Sequence, residues 1–318
     1  MGTPEFAVPS LEALIDAGYG PDAVVTGPDR PRGRGQEVTP TPVKKAATEA
    51  GINPILQPED VKSDAFADDI AALEPDVIVV VAYKILPPKV YEQAAKGAFN
   101  LHGSLLPKYR GAAPINWAII NGETTTGVTT FFLQKKVDTG NVILKKEMDI
   151  GPNETAGEVH DRMMHLGAET VVETVCRIEA GDVETHAQDD TEATPAPKIH
   201  TEDGEIAWED AAADVHNFIR GLSPYPGAWT THDGTRLKVY RSRPARNADG
   251  GSAEEGSAEG RSADGAPGEV LEAGDRLVIA CGDGAVELTR IQQPGRKRLP
   301  ATDFLNGYPL ETGDRLGG

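Results

Sequence analysis

The chain has 318 residues, of which 39% are hydrophobic, and a formal net charge of −19 at pH 7. That length allows two domains with separate cores, and no uninterrupted apolar stretch is long enough for a membrane span. Cys176 and Cys281 are the only cysteines and lack the spacing of a disulfide framework or a zinc site. We therefore expect a cytoplasmic protein without a membrane or metal partner, and its acidity argues against a general nucleic-acid binder.

The first two-thirds of the chain alternate short apolar runs with helical segments. Residues 77–81 form a continuous β-branched run, typical of a strand buried on both faces of a parallel sheet. Further strands are predicted over 23–26, 98–101, 128–133 and 142–146. Helices are predicted over 42–50 and 155–180, the second with Thr155 as its N-cap. This order predicts a doubly wound, mostly parallel, Rossmann-like α/β sheet, whose sites lie at the carboxyl ends of its strands.

The pattern changes after a polar linker at residues 186–205. Short strands over 237–240, 268–271, 277–280 and 286–288, divided by Gly and Asp, predict a small OB-like β-barrel. The expected domains are therefore a catalytic domain over 1–185 and a barrel over 206–318. Residues 246–267 are rich in Gly, Ser, Ala and Glu and are interpreted as a low-complexity insert in the barrel.

Three side chains suited to acyl transfer lie at the edges of apolar runs, namely Asn100, His102 and Asp138. Asn can donate to a developing oxyanion, and His can donate or shuttle a proton. Asp can orient the imidazole, hold a water, or take a proton from an amine. Asp138 alone is also typical of a turn, since Asp-Thr-Gly is turn chemistry. Together the three side chains indicate transfer of an acyl group onto a nitrogen.

The chain resembles the methionyl-tRNA formyltransferase family along almost its whole length. The matching segments are residues 2–6, 28–35, 40–44, 80–83, 100–110, 111–115, 137–140 and 223–226, together with Trp229. The Asn-x-His-x-Ser-Leu-Leu-Pro core is shared by formyltetrahydrofolate-dependent transferases generally. The Arg-rich loop at 29–42 and the C-terminal barrel are more specific to the tRNA enzymes of that family.

One departure from the family concerns the sheet. In the family a short apolar strand precedes the Gly-Thr-Pro segment and lies in the middle of the sheet, whereas this sequence starts at Met1-Gly2. We expect the true start to lie upstream, because a gap there would leave ladder hydrogen bonds unmade. The chain as given is expected to lack the first strand of its sheet.

The resemblance implies formyl transfer from 10-formyltetrahydrofolate to the α-amino group of methionyl initiator tRNA, in support of translation initiation. It gives the catalytic roles to Asn100, His102 and Asp138. The implied folate contacts are Ser104, Leu105, Leu106 and Pro107 on one side and Val81, Ala82 and Tyr83 on the other. The implied tRNA contacts are basic side chains, namely Arg30, Arg32, Arg34, Lys44, Lys108, Arg110, Arg296, Lys297 and Arg298. A monomer is expected.

Other interpretations remain open. A related formyltransferase acting on a small amine would share the catalytic trio without needing the Arg loop or the barrel. A hydrolase releasing formate from the same folate is a second alternative. A tRNA-binding module without chemistry is disfavoured by the intact trio, and a dehydrogenase by the lack of a Gly-rich first turn. Leu105 and Leu106 are as well explained by an ordinary core as by a folate site.

Overall fold

A computed structural model describes residues 1–32, 37–245 and 265–317. They form two compact units, one of Met1–Pro114, Thr125–Asp149 and His160–Pro197, the other of Ile115–Thr124, Ile150–Val159 and Lys198–Gly318. The contiguous boundaries proposed from the sequence therefore stay a prediction. None of the helices in the described ranges combines the length and the apolar character that a bilayer crossing requires.

The helices follow the amphipathic segments of the chain. They are α1 (Val8–Asp16), α2 (Pro42–Glu49), α3 (Asp64–Ala72), α4 (Pro88–Tyr91), α5 (Pro114–Ile120), α6 (Ala156–Ala180), α7 (Ala212–Gly221) and α8 (Ala301–Gly307).

The strands of the first half of the chain are β1 (Val24–Val25), β2 (Arg30–Arg32), β3 (Glu37–Thr39), β4 (Ile55–Leu56), β5 (Ile78–Val81), β6 (Ala98–His102), β7 (Arg110–Gly111), β8 (Thr125–Phe132) and β9 (Val142–Asp149). They are followed by β10 (Pro195–Ala196), β11 (Ala228–His232), β12 (Thr235–Pro244), β13 (Val270–Ala273), β14 (Leu277–Ala280), β15 (Ala285–Gln292) and β16 (Leu299–Pro300).

The main sheet of the first unit has the strand order β5-β6-β8-β9. β5 and β6 are parallel, while β6 with β8 and β8 with β9 are antiparallel. The predicted parallel pairing is therefore present in β5 with β6 and in β1 with β4, whereas β8 and β9 are antiparallel. The connection at residues 133–141 is too short for the crossover that a parallel pairing of β8 and β9 would need.

A cavity of about 440 Å³ separates β5 from the parallel pair that β1 forms with β4. Its lining is largely apolar and includes Leu11, Leu14, Val24, Val25, Ile70, Ile78 and Val81. Among the described residues, only Met1 and Gly2 bridge β1 and β5. The Gly2 amide donates to the Val25 carbonyl at 3.0 Å, and the Val81 amide donates to the Met1 carbonyl at 2.9 Å. The expected gap in the sheet is thus present as an apolar slot.

The second unit is built on a curled antiparallel sheet with the order β11-β12-β15-β14-β13, and β16 pairs with β15. The helix α7 lies against β12. The core beneath contains Trp208, Ile219, Leu222, Leu237, Leu277, Ile279 and Leu288. The predicted strands at 237–240, 277–280 and 286–288 fall inside this sheet, whereas β11, α7 and α8 were not predicted. The predicted insert at 246–267 lies mostly outside the described residues.

Thr155 caps α6, as the sequence predicts. The Glu158 amide donates to Thr155 Oγ1 at 3.4 Å. In return, the Thr155 amide and hydroxyl donate to Glu158 Oε2 at 2.9 and 2.8 Å. This reciprocal arrangement is a capping box, which satisfies amides that the first turn of a helix leaves unpaired.

Replacing the cap should destabilise the protein without altering its chemistry. The Thr155→Val variant keeps the side-chain shape but removes the hydroxyl, so we expect a loss of about 1 kcal/mol of unfolding free energy. Urea denaturation followed by circular dichroism measures this. The Thr155→Ser variant, which keeps the hydroxyl, serves as the control, and equal midpoints for the Val and Ser variants would contradict the assignment.

Candidate active site

The strand β6 places Asn100 and His102 on one face, because alternate residues of a strand point the same way. It lies between β5 and β8, so its backbone is held on both sides. Asn100 pairs with Val80 and Phe131, and His102 pairs with Thr129. Both side chains therefore project from a rigid position near the carboxyl end of the strand, where the sequence places the site.

The His102 imidazole is buried, and its Nε2 lies 2.8 Å from the Tyr109 carbonyl oxygen. A carbonyl can only accept a hydrogen bond, so Nε2 carries a hydrogen. Nδ1 is then the ring nitrogen left for a substrate. It accepts a hydrogen bond when the ring is neutral and donates one when the ring is protonated.

Asp138 has a φ of 54°, a left-handed conformation that Asp tolerates better than most residues. Its Oδ2 accepts from the Gly111 amide at 3.0 Å. Its backbone carbonyl accepts from Gln188 Nε2 at 3.0 Å. Gly111 does not use Oδ1, so this oxygen is available to a water or to a substrate amine.

His102 and Asp138 are therefore both held by the backbone of residues 109–111, which we call the 109–111 segment. Tyr109 supplies a carbonyl to His102, and Gly111 supplies an amide to Asp138. Two contacts from one short stretch of backbone fix the imidazole and the carboxylate relative to each other. The sequence identified Gly111 only as part of a family segment and did not predict this role.

The path of the 109–111 segment is set by strand pairing. β7 pairs in parallel with β10, and the Arg110 amide donates to the Thr194 carbonyl at 2.9 Å. Gly111 has a φ of 133°, and a Cβ at this position would lie 2.4 Å from the Ala196 carbonyl oxygen. Only glycine fits there, because the backbone conformation and the close approach both exclude a side chain.

A cavity of about 100 Å³ brings Asn100 and Asp138 together with Tyr83. Its apolar lining includes Val80, Leu86 and Phe131. The volume exceeds what one water molecule requires and suits a group of formyl size. In the described ranges, no cluster of three or more His, Cys, Asp or Glu side chains is arranged to hold a metal ion.

The Tyr83 hydroxyl is buried and has no hydrogen-bond partner among the described residues. Burial raises the pKa of Tyr83 to about 12, so the hydroxyl stays protonated at neutral pH. A buried donor without a partner is uncommon in a folded protein and is satisfied when a ligand supplies an acceptor. The sequence analysis named Tyr83 only as a folate contact and did not predict this hydroxyl donor.

The other residues named for folate binding have different surroundings. The side chains of Ser104 and Leu106 are buried, and Pro107 is buried beside them. The Ser104 hydroxyl donates to the Lys108 carbonyl at 2.7 Å, and the Leu106 amide donates to Thr129 Oγ1 at 3.1 Å. Leu105 is half-buried and Ala82 exposed, while Val81 faces the apolar slot.

The basic residues named for tRNA binding are spread over the chain, and some of them form ion pairs with carboxylates. Lys44 Nζ lies 2.5 Å from Asp29 Oδ2, and its hydrogen bond lowers the pKa of that carboxyl. Arg110 Nη1 lies 2.7 Å from Asp190 Oδ1. Exposed positions are Arg30, Lys108, Arg296, Lys297 and Arg298. Arg34 and the side chain of Arg32 lie outside the described residues.

Comparison with known proteins identifies the family of this chain. Residues 1–175 match the family described as "Formyl transferase", and residues 198–309 match "Formyl transferase, C-terminal domain". The methionyl-tRNA formyltransferase of Chlorobium phaeovibrioides is 48% identical over 320 residues, which cover 100% of this chain and 97% of that protein. That of Geobacter metallireducens is 46% identical over 319 residues, with coverage of 100% and 97%. The chain belongs to the methionyl-tRNA formyltransferase family.

The fold of this family member is also found in solved structures. The N-formyltransferase from Helicobacter canadensis, in complex with folinic acid and dTDP-3-aminofucose, superposes with a TM-score of 0.64. The superposition covers 92% of this chain and 97% of that chain at 19% sequence identity. At this identity the likeness establishes the Rossmann-like formyltransferase fold and nothing further.

A side chain at Gly111 should impair turnover by displacing the amide that holds Asp138. We expect Gly111→Ala to lower the formylation rate roughly a hundredfold, since small misplacements of reacting groups cost about this much. Steady-state formylation kinetics measure the loss.

The control is Gly51→Ala. Gly51 has a positive φ of 72°, but a Cβ there would meet nothing within 4 Å. This variant should lose some stability and keep its turnover. Equal turnover in the two variants would show that the 109–111 segment does not position the site.

Proposed function

We propose that this enzyme transfers the formyl group of 10-formyltetrahydrofolate to the α-amino group of methionyl initiator tRNA at the cavity lined by Asn100 and Asp138. The observation that carries the proposal is the joint anchoring of His102 and Asp138 by the 109–111 segment, beside Asn100 on β6. The product is the formylated initiator that supports the start of translation.

After the amine attacks the formyl carbon, the bond from that carbon to the folate nitrogen breaks, and the proton lost by the amine is passed to that leaving nitrogen. During the attack, negative charge develops on the formyl oxygen. The Asn100 side-chain amide donates to this oxygen. His102 donates from Nδ1 in its protonated form, because Nε2–H is already used on the Tyr109 carbonyl. One such donor contributes about 3 kcal/mol of transition-state stabilisation.

Asp138 accepts the proton that the attacking amine loses. The nitrogen becomes more acidic as it bonds to the formyl carbon, so a nearby carboxylate can accept its proton directly or through a water. Since Oδ2 is held by the Gly111 amide, the proton acceptor is Oδ1.

The folate is proposed to lie between the turn at residues 104–107 and residues 81–83. Because Ser104 and Leu106 are buried, their part is to hold the turn so that its backbone faces the polar edge of the pterin. Tyr83 donates its unpaired hydroxyl to the ligand in the cavity. The exposed basic residues, together with the Arg loop at 29–42, are proposed to bind tRNA phosphates.

The second unit is proposed to close into an OB-like barrel that serves as the tRNA-binding domain over residues 206–318. A cytoplasmic monomer is proposed, as the family resemblance implies. The direct test is formylation of methionyl initiator tRNA with the folate donor, run beside a free small amine. Formylation of the small amine but not of the charged tRNA would overturn the proposed acceptor.

Removing either acid–base group should abolish most of the activity. We expect His102→Ala and Asp138→Ala each to lower turnover by roughly a hundredfold or more, because each removes a group that acts in the transition state. Single-turnover formylation assays measure the loss, with circular dichroism to verify folding. His200→Ala, at an exposed histidine, is the matched control. Near-normal turnover in both site variants would contradict the assignment.

The Tyr83 hydroxyl should matter for activity and not for stability. Tyr83→Phe removes a buried donor that has no partner in the part of the chain that the structure describes, so the unfolding midpoint should stay constant or rise. Formylation efficiency should fall by about tenfold, through the lost hydrogen bond to the ligand. Tyr19→Phe is the control. The Tyr19 hydroxyl donates to Glu179 Oε2 at 2.7 Å, and Tyr19 does not line the 100 Å³ cavity that includes Tyr83. A fall in stability with unchanged kinetics would assign the hydroxyl a structural role.

A further inference from the structure

Tyr225 is the only aromatic residue among the exposed large apolar side chains of the described residues. Its side chain is 77% exposed, whereas Trp208, Trp229 and Tyr240 of the same unit are buried. An aromatic ring that stays exposed to water does not contribute the folding free energy that its burial would give, so proteins that expose one commonly use it to bind a partner.

The loop that carries Tyr225 has little freedom. Pro224 and Pro226 flank the residue and fix the backbone on both sides. The Gly227 amide closes the loop by donating to the Leu222 carbonyl at 2.9 Å. Pro226 is buried, and its carbonyl accepts from Lys238 Nζ at 2.8 Å. The ring is thus presented by a fixed backbone, which reduces the entropy that binding would cost.

Basic side chains adjoin this loop. Arg298 Nη2 donates to the Pro224 carbonyl at 3.4 Å, and its guanidinium lies 3.7 Å from the centre of the Tyr240 ring. Arg296 and Lys297 are exposed next to it in the chain. Within the described residues, none of these three forms an ion pair with a carboxylate. In a chain of net charge −19, this is a local basic surface beside an exposed ring.

We propose that Tyr225 is a stacking platform for an unpaired nucleobase of the tRNA, and that residues 296–298 bind the adjoining phosphates. Single-stranded RNA is recognised in this way, by aromatic rings that stack on unpaired bases and cations that follow the backbone. A protein partner would leave the basic cluster unexplained, and a duplex would offer no base face to the ring. The inference rests on the proposed tRNA acceptor and adds a site that the catalytic cavity does not include.

The test uses the full chain and its Tyr225→Ala and Tyr225→Phe variants, with two probes, unacylated initiator tRNA and a short single-stranded RNA. Fluorescence anisotropy should show affinity for both probes falling by about tenfold in Tyr225→Ala, the size expected for one stacked base. Tyr225→Phe keeps the ring and should bind as the parent does. The KM for charged tRNA should rise in Tyr225→Ala, while the KM for the folate donor and kcat at saturating tRNA stay constant.

A charge-matched comparison isolates the basic cluster. Arg298→Ala should lower the affinity for both probes and reduce the salt dependence of binding. Arg177→Ala, at an arginine paired with Glu173, should change neither. Unchanged affinity in Tyr225→Ala, or an equal loss of affinity in Tyr225→Phe, would overturn the stacking platform. The proposed function would be unaffected by that result as long as the parent protein formylates charged tRNA. Binding of single-stranded RNA through Tyr225 without any formylation of charged tRNA would overturn the proposed function and leave the platform standing.

Discussion

The backbone of the 109–111 segment is the constraint on which the active site depends. Its Tyr109 carbonyl fixes the imidazole of His102, and its Gly111 amide holds the carboxylate of Asp138. Neither contact uses a side chain of the segment, so both follow from the path of the backbone. That path is set by the pairing of β7 with β10 and by the lack of a side chain at Gly111. The pairing of β7 with β10 therefore determines where the His102 imidazole and the Asp138 carboxylate are held.

The sequence was sufficient to locate Asn100 and His102, because an apolar run that ends in polar residues predicts a strand end at a site. It was not sufficient for Gly111, whose restricting neighbour, Ala196, is distant in the chain and becomes adjacent only when β7 and β10 pair. Tyr83 was named from the family resemblance, but the lack of a partner for its hydroxyl among the described residues is visible only in the structure. A Leu-Leu pair likewise does not reveal that Leu106 is fully buried and Leu105 only half-buried.

The fold likewise has some features that residues close in the sequence predict and others that depend on residues far apart in the sequence. Thr155 and the β-branched run of β5 are local signals, and the structure has the cap and the buried strand that they predict. The antiparallel placement of β8 and β9 depends on which strands become neighbours, which alternation of elements alone does not fix. The apolar slot between β1 and β5 shows how strongly the sheet relies on Met1 and Gly2, whose backbone alone joins the two strands in the described residues.

The central claim is that the 109–111 segment orients the His102 imidazole, and the tautomer of His102 tests it most directly. Nitrogen-15 NMR of the protein with labelled histidine reports which ring nitrogen carries the hydrogen, with His102 assigned by its loss in His102→Gln. The structure predicts that the neutral ring carries its hydrogen on Nε2, bonded to the Tyr109 carbonyl, and leaves Nδ1 unprotonated. A neutral ring with its hydrogen on Nδ1 would contradict the account, because Nε2 could not then donate to the Tyr109 carbonyl and the segment would not orient the imidazole.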